Sequence, residues 1–136
     1  MAIKRLQDND IRTFRIACPI LHWFEGKEEI EELYEAFNPQ KLEAAWCEPY
    51  NDRANWKILL NGFQNEKYKK ALENVMTDKR EWSKYALRLA RRHADTLNKL
   101  GFKGESNFLL YESGMTADEI NKAKKILGVN FQSEQE

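Results

Sequence analysis

Cys18, His22, Cys47 and His93 are the side chains of this 136-residue chain best suited to ligate a soft metal or to serve as nucleophile and base. A four-residue step would set Cys18 and His22 on one helix face, but Pro19 lies between them and breaks such a helix. The other spacings match no zinc pattern. The sequence has no glycine-rich phosphate loop, no nucleophile elbow and no HExxH helix. Abundant Asp and Glu on helix faces are not a paired acid and base in a cleft. The expectation is a protein without catalysis, bound metal or cofactor. His93 falls in the middle of an apolar helix face. It reads as a core histidine hydrogen-bonded to a carbonyl or a tyrosine, and as a pH-sensitive position.

Charge carries the remaining chemistry. Lys and Arg number 22 and Asp and Glu number 22, so the formal net charge is zero and no global field draws the chain to nucleic acid or membrane. The distribution is uneven: residues 25–48 hold eight acids and two bases, residues 65–103 eleven bases and five acids. Lys84, Arg88, Arg91, Arg92 and Lys99 form a basic stripe opposite the apolar face of one helix, and Glu28, Glu31, Glu32 and Glu35 an acidic stripe on another. Lys84–Arg88 and Arg88–Arg92 are like charges at i,i+4, each costing roughly 0.2–0.5 kcal/mol in an isolated helix. Stripes that repel themselves point to a partner of opposite charge, which would be another protein or a second copy of this chain in a homodimer. Two solvated faces, or two stripes that satisfy each other within the fold, are the structural alternative.

Nucleic acid is the runner-up partner for the basic face of the 78–100 helix, with Phe102, Phe108 and Tyr111 nearby to stack bases. The sequence pI of about 6.8 is low for such a domain. TADEINKAKKILGVN resembles the first helix and turn of a helix-turn-helix, but the FQSEQE that follows is too short and too acidic for a recognition helix.

The elements that position these residues are mostly helical. Trp82, Tyr85, Ala86, Leu89, His93, Leu97 and Leu100 recur at helical spacing between Asp78, an N-cap with Glu81 three residues on, and Gly101, a left-handed stop. Ile30, Leu33, Tyr34 and Phe37 predict an amphipathic helix; Asn38–Pro39 predicts the start of another over PQKLEAAWC, burying Leu42, Ala45 and Trp46. Trp56, Leu59, Leu60 and Phe63 predict a helix, as do Tyr68, Leu72, Val75 and Met76, and Thr116 with Glu119 predicts a capping box for a last one. In residues 11–18, Phe14, Ile16 and Cys18 alternate with Arg15 and Ala17 in the manner of a half-buried strand, though a helix face is also readable. The apolar group Phe108–Tyr111 suits a strand or an extended arm. Ile20, Leu21, Trp23 and Phe24 read as core, and Trp46, Trp56 and Trp82 as further core anchors.

These observations predict a mainly α, single helical domain of about five or six helices, with a minor two-stranded β element as an option and loose ends at 1–10 and 132–136. MAIKRLQDND lacks the apolar stretch of a signal peptide, and no run approaches the roughly 20 apolar residues of a membrane span, so the expected location is cytoplasmic. The expected function is that of a small non-catalytic regulator or inhibitor of another macromolecule, of the kind phages and mobile elements carry as accessory proteins.

Overall fold

Strands and helices alternate along the chain. The computed structural model describes residues 2–21, 27–111, 113–128 and 131–134, with backbone alone for 27–28 and 131–134. The order is α1 (Ala2–Asp8), β1 (Phe14–Ile20), α2 (Lys27–Glu35), a single 3₁₀ turn (Pro39–Lys41), β2 (Ala44–Pro49), α3 (Trp56–Gly62), α4 (Glu66–Thr77), α5 (Lys79–Lys99), β3 (Glu105–Tyr111), α6 (Ala117–Leu127) and β4 (Phe131–Glu134). All strand pairings are parallel, in the sheet order β1-β2-β3-β4. Parallel neighbours require crossover connections, and α2, the α3–α5 run and α6 supply them.

The fold is therefore α/β, which corrects the expectation of a mainly α domain with a minor two-stranded element. Two misread segments account for the difference: PQKLEAAWC, expected as a helix, and the tail 132–136, expected to be loose, where Phe131–Glu134 forms the fourth strand. Asn38–Pro39 does start a helical turn, but it stops at Lys41, and the predicted helix over PQKLEAAWC gives way to the central strand β2. Segments 14–20 and 105–111 are the strands flanking it. Residues 2–8, read as loose, form α1, docked by the buried Gln7 amide, which donates to Thr13 Oγ1 (3.1 Å) and to the Asn38 carbonyl (3.3 Å).

The long helix α5 forms as its sequence predicts. The Asp78 side chain accepts from the Arg80 and Glu81 amides, and the chain leaves the helix through Gly101 at φ 69°, with the Phe102 amide donating to the Leu97 carbonyl at 3.0 Å. Its buried face of Trp82, Tyr85, Ala86, Leu89, His93 and Leu97 packs on Ala45, Cys47, Phe108 and Leu110 of the sheet, with Ile30 and Tyr34 of α2 in the same core. Two polar tips pin α5 to the carboxyl ends of the strands. Trp82 Nε1 donates to the Tyr50 carbonyl at 2.9 Å; Tyr85 Oη accepts from the Tyr50 amide at 2.6 Å and donates to the Ile20 carbonyl.

The edge strand β1 faces the opposite way from its composition. Arg15, Ala17 and Ile20 are buried, whereas Phe14 and Ile16 are 63% and 62% exposed. Register shows that the neighbours set this orientation: Arg15 aligns with Ala45 and Ser106, and Ile16 with Trp46 and Asn107. The outer face of the sheet thus carries Phe14 and Ile16 in the open, with Trp46, Glu48, Leu109 and Tyr111 half-buried beside them.

Candidate functional site

The inner layer between sheet and helices holds a buried polar knot. His93 of α5 is 0% exposed. Its Nδ1 lies 2.5 Å from Tyr34 Oη of α2 and its Nε2 3.1 Å from Ser106 Oγ of β3. A tyrosine was one of the two partners expected for it. The arrangement has the outline of a nucleophile, a base and a group that orients the base. Its electrostatics run the other way. Burial first, then the positive charge of Arg15, push the imidazole down to about 3, against a weaker opposing hydrogen bond with the Asn107 backbone. A ring that resists protonation so far below neutrality is a poor general base at pH 7. Burial also holds the Tyr34 phenol well above its usual range and the Cys47 thiol up at about 12. All three groups are thus held in their neutral forms.

Arg15 is the member that sequence reasoning missed. Its guanidinium stacks 3.6 Å from the centre of the Tyr34 ring and 5.4 Å from that of Phe37, and both terminal nitrogens are buried without a hydrogen-bond partner. A strand pattern that alternates Phe, Arg, Ile, Ala, Cys normally turns the arginine to solvent. Only the placement of the neighbouring strands reverses it.

The charged stripes are partly spent inside the molecule. Lys99 pairs with Glu31 across α5 and α2 at 2.6 Å, and Lys84 with Glu81 along α5 at 2.6 Å. Arg88, Arg91 and Arg92 remain exposed, as do Glu32 and Glu35, while the side chain of Glu28 lies outside the described residues. Arg88, Arg91, Leu87, Lys122 and Ile126 line a shallow groove between α5 and α6. Among the described residues the Lys99–Glu31 bridge joins the two stripes, and Glu31, Arg92 and Lys99 line one small pocket with Asp95.

The cysteines cannot cooperate: Cys47 faces the core and Cys18 the outer sheet face. Cys18 donates its thiol to Glu48, and Tyr111 donates its hydroxyl to the other oxygen of the same carboxylate. Burial foremost, then the bond to Glu48 and its charge, push the Cys18 thiol up to about 12, so it is not a thiolate nucleophile. Among the described residues no three His, Cys, Asp or Glu side chains converge as a metal site, and no helix is long and apolar enough to cross a membrane. His22, Trp23 and Phe24 lie outside the described residues.

What stands out chemically is the outer sheet face. All-parallel sheets are almost always covered on both faces; here the helices packed extensively on the sheet, α5 and α6, share its inner side, and Phe14 and Ile16 are left in solvent. No protein-family model matches the chain, nor does any curated protein or solved structure.

Proposed function

We propose that the chain is a non-catalytic binding protein that acts on a protein partner through the outer face of its sheet. The observation that carries this is the inverted strand β1, which buries an arginine and presents Phe14 and Ile16, both more than 60% exposed, to solvent. A soluble fold that sought only stability would bury the aromatic and the isoleucine, each worth roughly 1.5–3 kcal/mol when fully buried. Exposed apolar patches of this kind mark interaction surfaces, and Trp46, Leu109 and Tyr111 extend the patch across two more strands. The charged helix faces expected to be the contact surface become secondary, since Lys84 and Lys99 already have partners within the fold.

The test is a selection of displayed random peptides on the wild-type protein, with Ile16→Asp as the counter-selection. Ile16 is exposed, so the variant should keep the wild-type melting transition. Ligands that bind the wild type and lose binding to Ile16→Asp support the reading; a ligand set indifferent to Ile16→Asp removes it.

A second reading rests on the groove between α5 and α6. Arg88, Arg91 and Lys122 line it together, which would suit a phosphate backbone.

A further inference from the structure

We propose that the outer sheet face receives a partner segment that lays apolar side chains over Phe14, Ile16 and Trp46 and sets a lysine or arginine on Glu48. The proposal rests on the outer face being the binding surface. It adds the chemistry of the partner.

Glu48 sits on β2 among apolar side chains, half-buried. Its two oxygens accept from the Cys18 thiol and the Tyr111 hydroxyl. Both donors are neutral groups, and the thiol stays protonated throughout the physiological range. The carboxylate is held in orientation by these two bonds and has no cationic partner among the described residues. The remaining outward positions of β1, β2 and β3 are Phe14, Ile16, Cys18, Ala44, Trp46, Glu105, Leu109 and Tyr111, with Asn107 on the same side but buried. They include a second acid, Glu105, and no base. Among the described side chains the face is apolar with negative charge only, so the complementary surface is apolar with positive charge. Lysine and arginine meet both demands in one residue, because their stems cover apolar surface while their heads pair.

Two competing occupants fit less well. A second copy stacked face to face about a two-fold axis would set an acidic face against an identical acidic face. A strand added at the edge nearest Phe14 and Ile16 would have to pair with β1, whose inward charge at Arg15, proline at position 19 and register shift between Ala17 and Ile20 are the features that protect edge strands from pairing, while one added at the other edge, β4, would lie three strands away from those two side chains. The segment therefore lies across the face instead of extending the sheet.

The experiment takes peptides selected on the wild type and measures their affinity for wild type, Ile16→Asp, Glu48→Gln and Glu48→Lys by fluorescence anisotropy. The expected result is enrichment of peptides with Lys or Arg among apolar residues, abolition of binding by Ile16→Asp, and a loss of about tenfold or more in Glu48→Gln. Selection on Glu48→Lys should enrich Asp or Glu in place of the basic residue. Peptides lost in Ile16→Asp but bound within twofold by Glu48→Gln would overturn the role of Glu48 and leave the outer face as the binding surface. A ligand set indifferent to Ile16→Asp would overturn both.

Discussion

His93 makes the stability of the fold depend on pH in a window where few other groups titrate. The imidazole is held near 3 in the folded chain against about 6.5 when unfolded. The unfolded chain therefore binds a proton that the native chain refuses. Its contribution is fully present above pH 6.5 and is lost as pH falls from 6.5 toward 3, with stability rising as pH rises. Between pH 7 and pH 5 the loss is about 2 kcal/mol, obtained from 1.36 kcal/mol per unit over the interval below 6.5. This interval is insensitive to where below pH 4 the folded group titrates. The groups around the ring do not interfere. Tyr34 from α2 and Cys47 from β2 titrate far above the window. In melting temperature the loss is roughly 6–10 °C for a chain of this length. The assay is urea or thermal denaturation at pH 7, 6 and 5 on the wild type and on His93→Gln, comparing slopes with pH and not absolute stabilities. The shallow slope that remains in His93→Gln belongs to carboxylates held low in the fold, Glu43, Asp52 and Glu119. A flat wild-type profile between pH 7 and 5, or equal slopes in the two proteins, would refute the claim that the ring is buried neutral.

Three further outcomes are expected. Arg15→Met removes a buried charge whose terminal nitrogens have no hydrogen-bond partner, at the expense of a stacking contact of roughly 0.5–2 kcal/mol. Such replacements are neutral to stabilising by about 1–4 kcal/mol, so the urea midpoint should hold or rise while sedimentation shows more self-association through the unguarded edge; a loss above about 2 kcal/mol would mean the guanidinium is well satisfied. Gly104→Ala places a Cβ 2.3 Å from the Glu43 carbonyl oxygen, which also accepts the Glu105 amide at 2.7 Å, and should cost about 2–3 kcal/mol by chemical denaturation; a change within experimental error would show that β3 can move there freely. The triple variant Arg88→Glu/Arg91→Glu/Arg92→Glu should leave affinity for the selected peptides unchanged, and the wild type should show no saturable binding to labelled DNA or RNA at physiological salt. Saturable binding that falls steeply with salt and vanishes in the triple variant would promote the nucleic-acid reading.

Local chemistry was legible in the sequence and long-range orientation was not. Asp78, Gly101 and the Thr116–Glu119 box act within one helical turn of themselves, and each performs its predicted role. The strand β2 was hidden because Leu42, Ala45 and Trp46 satisfy helical spacing, and because a central parallel strand with apolar neighbours on both faces lacks the polar alternation that marks a surface strand. The orientation of β1 was hidden for a related reason. Its alternation was visible, but which half of it faces the core depends on Ala45 and Ser106, thirty and ninety-one residues away. The bridge from Glu31 to Lys99 likewise needs α2 and α5 side by side. Of the candidate surface, the charged residues could be read from spacing, while Glu48 gained its meaning only when the sheet brought Cys18 and Tyr111 to it.

The sheet order has a consequence for how the chain is made. β2 ends at Pro49 and its partner β3 begins at Glu105, with α3, α4 and α5 between. At roughly 5–20 residues per second, synthesis of the intervening segment takes on the order of several seconds. During that interval a nascent β1–β2 pair exposes the free edge of β2, along Ala44–Pro49, outside the ribosome. α5 emerges before β3 and carries the Trp82 and Tyr85 tips that grip the carboxyl ends of both early strands. Chain order thus makes α5 available to cover the inner face of that pair before β3 and β4 are added to the sheet.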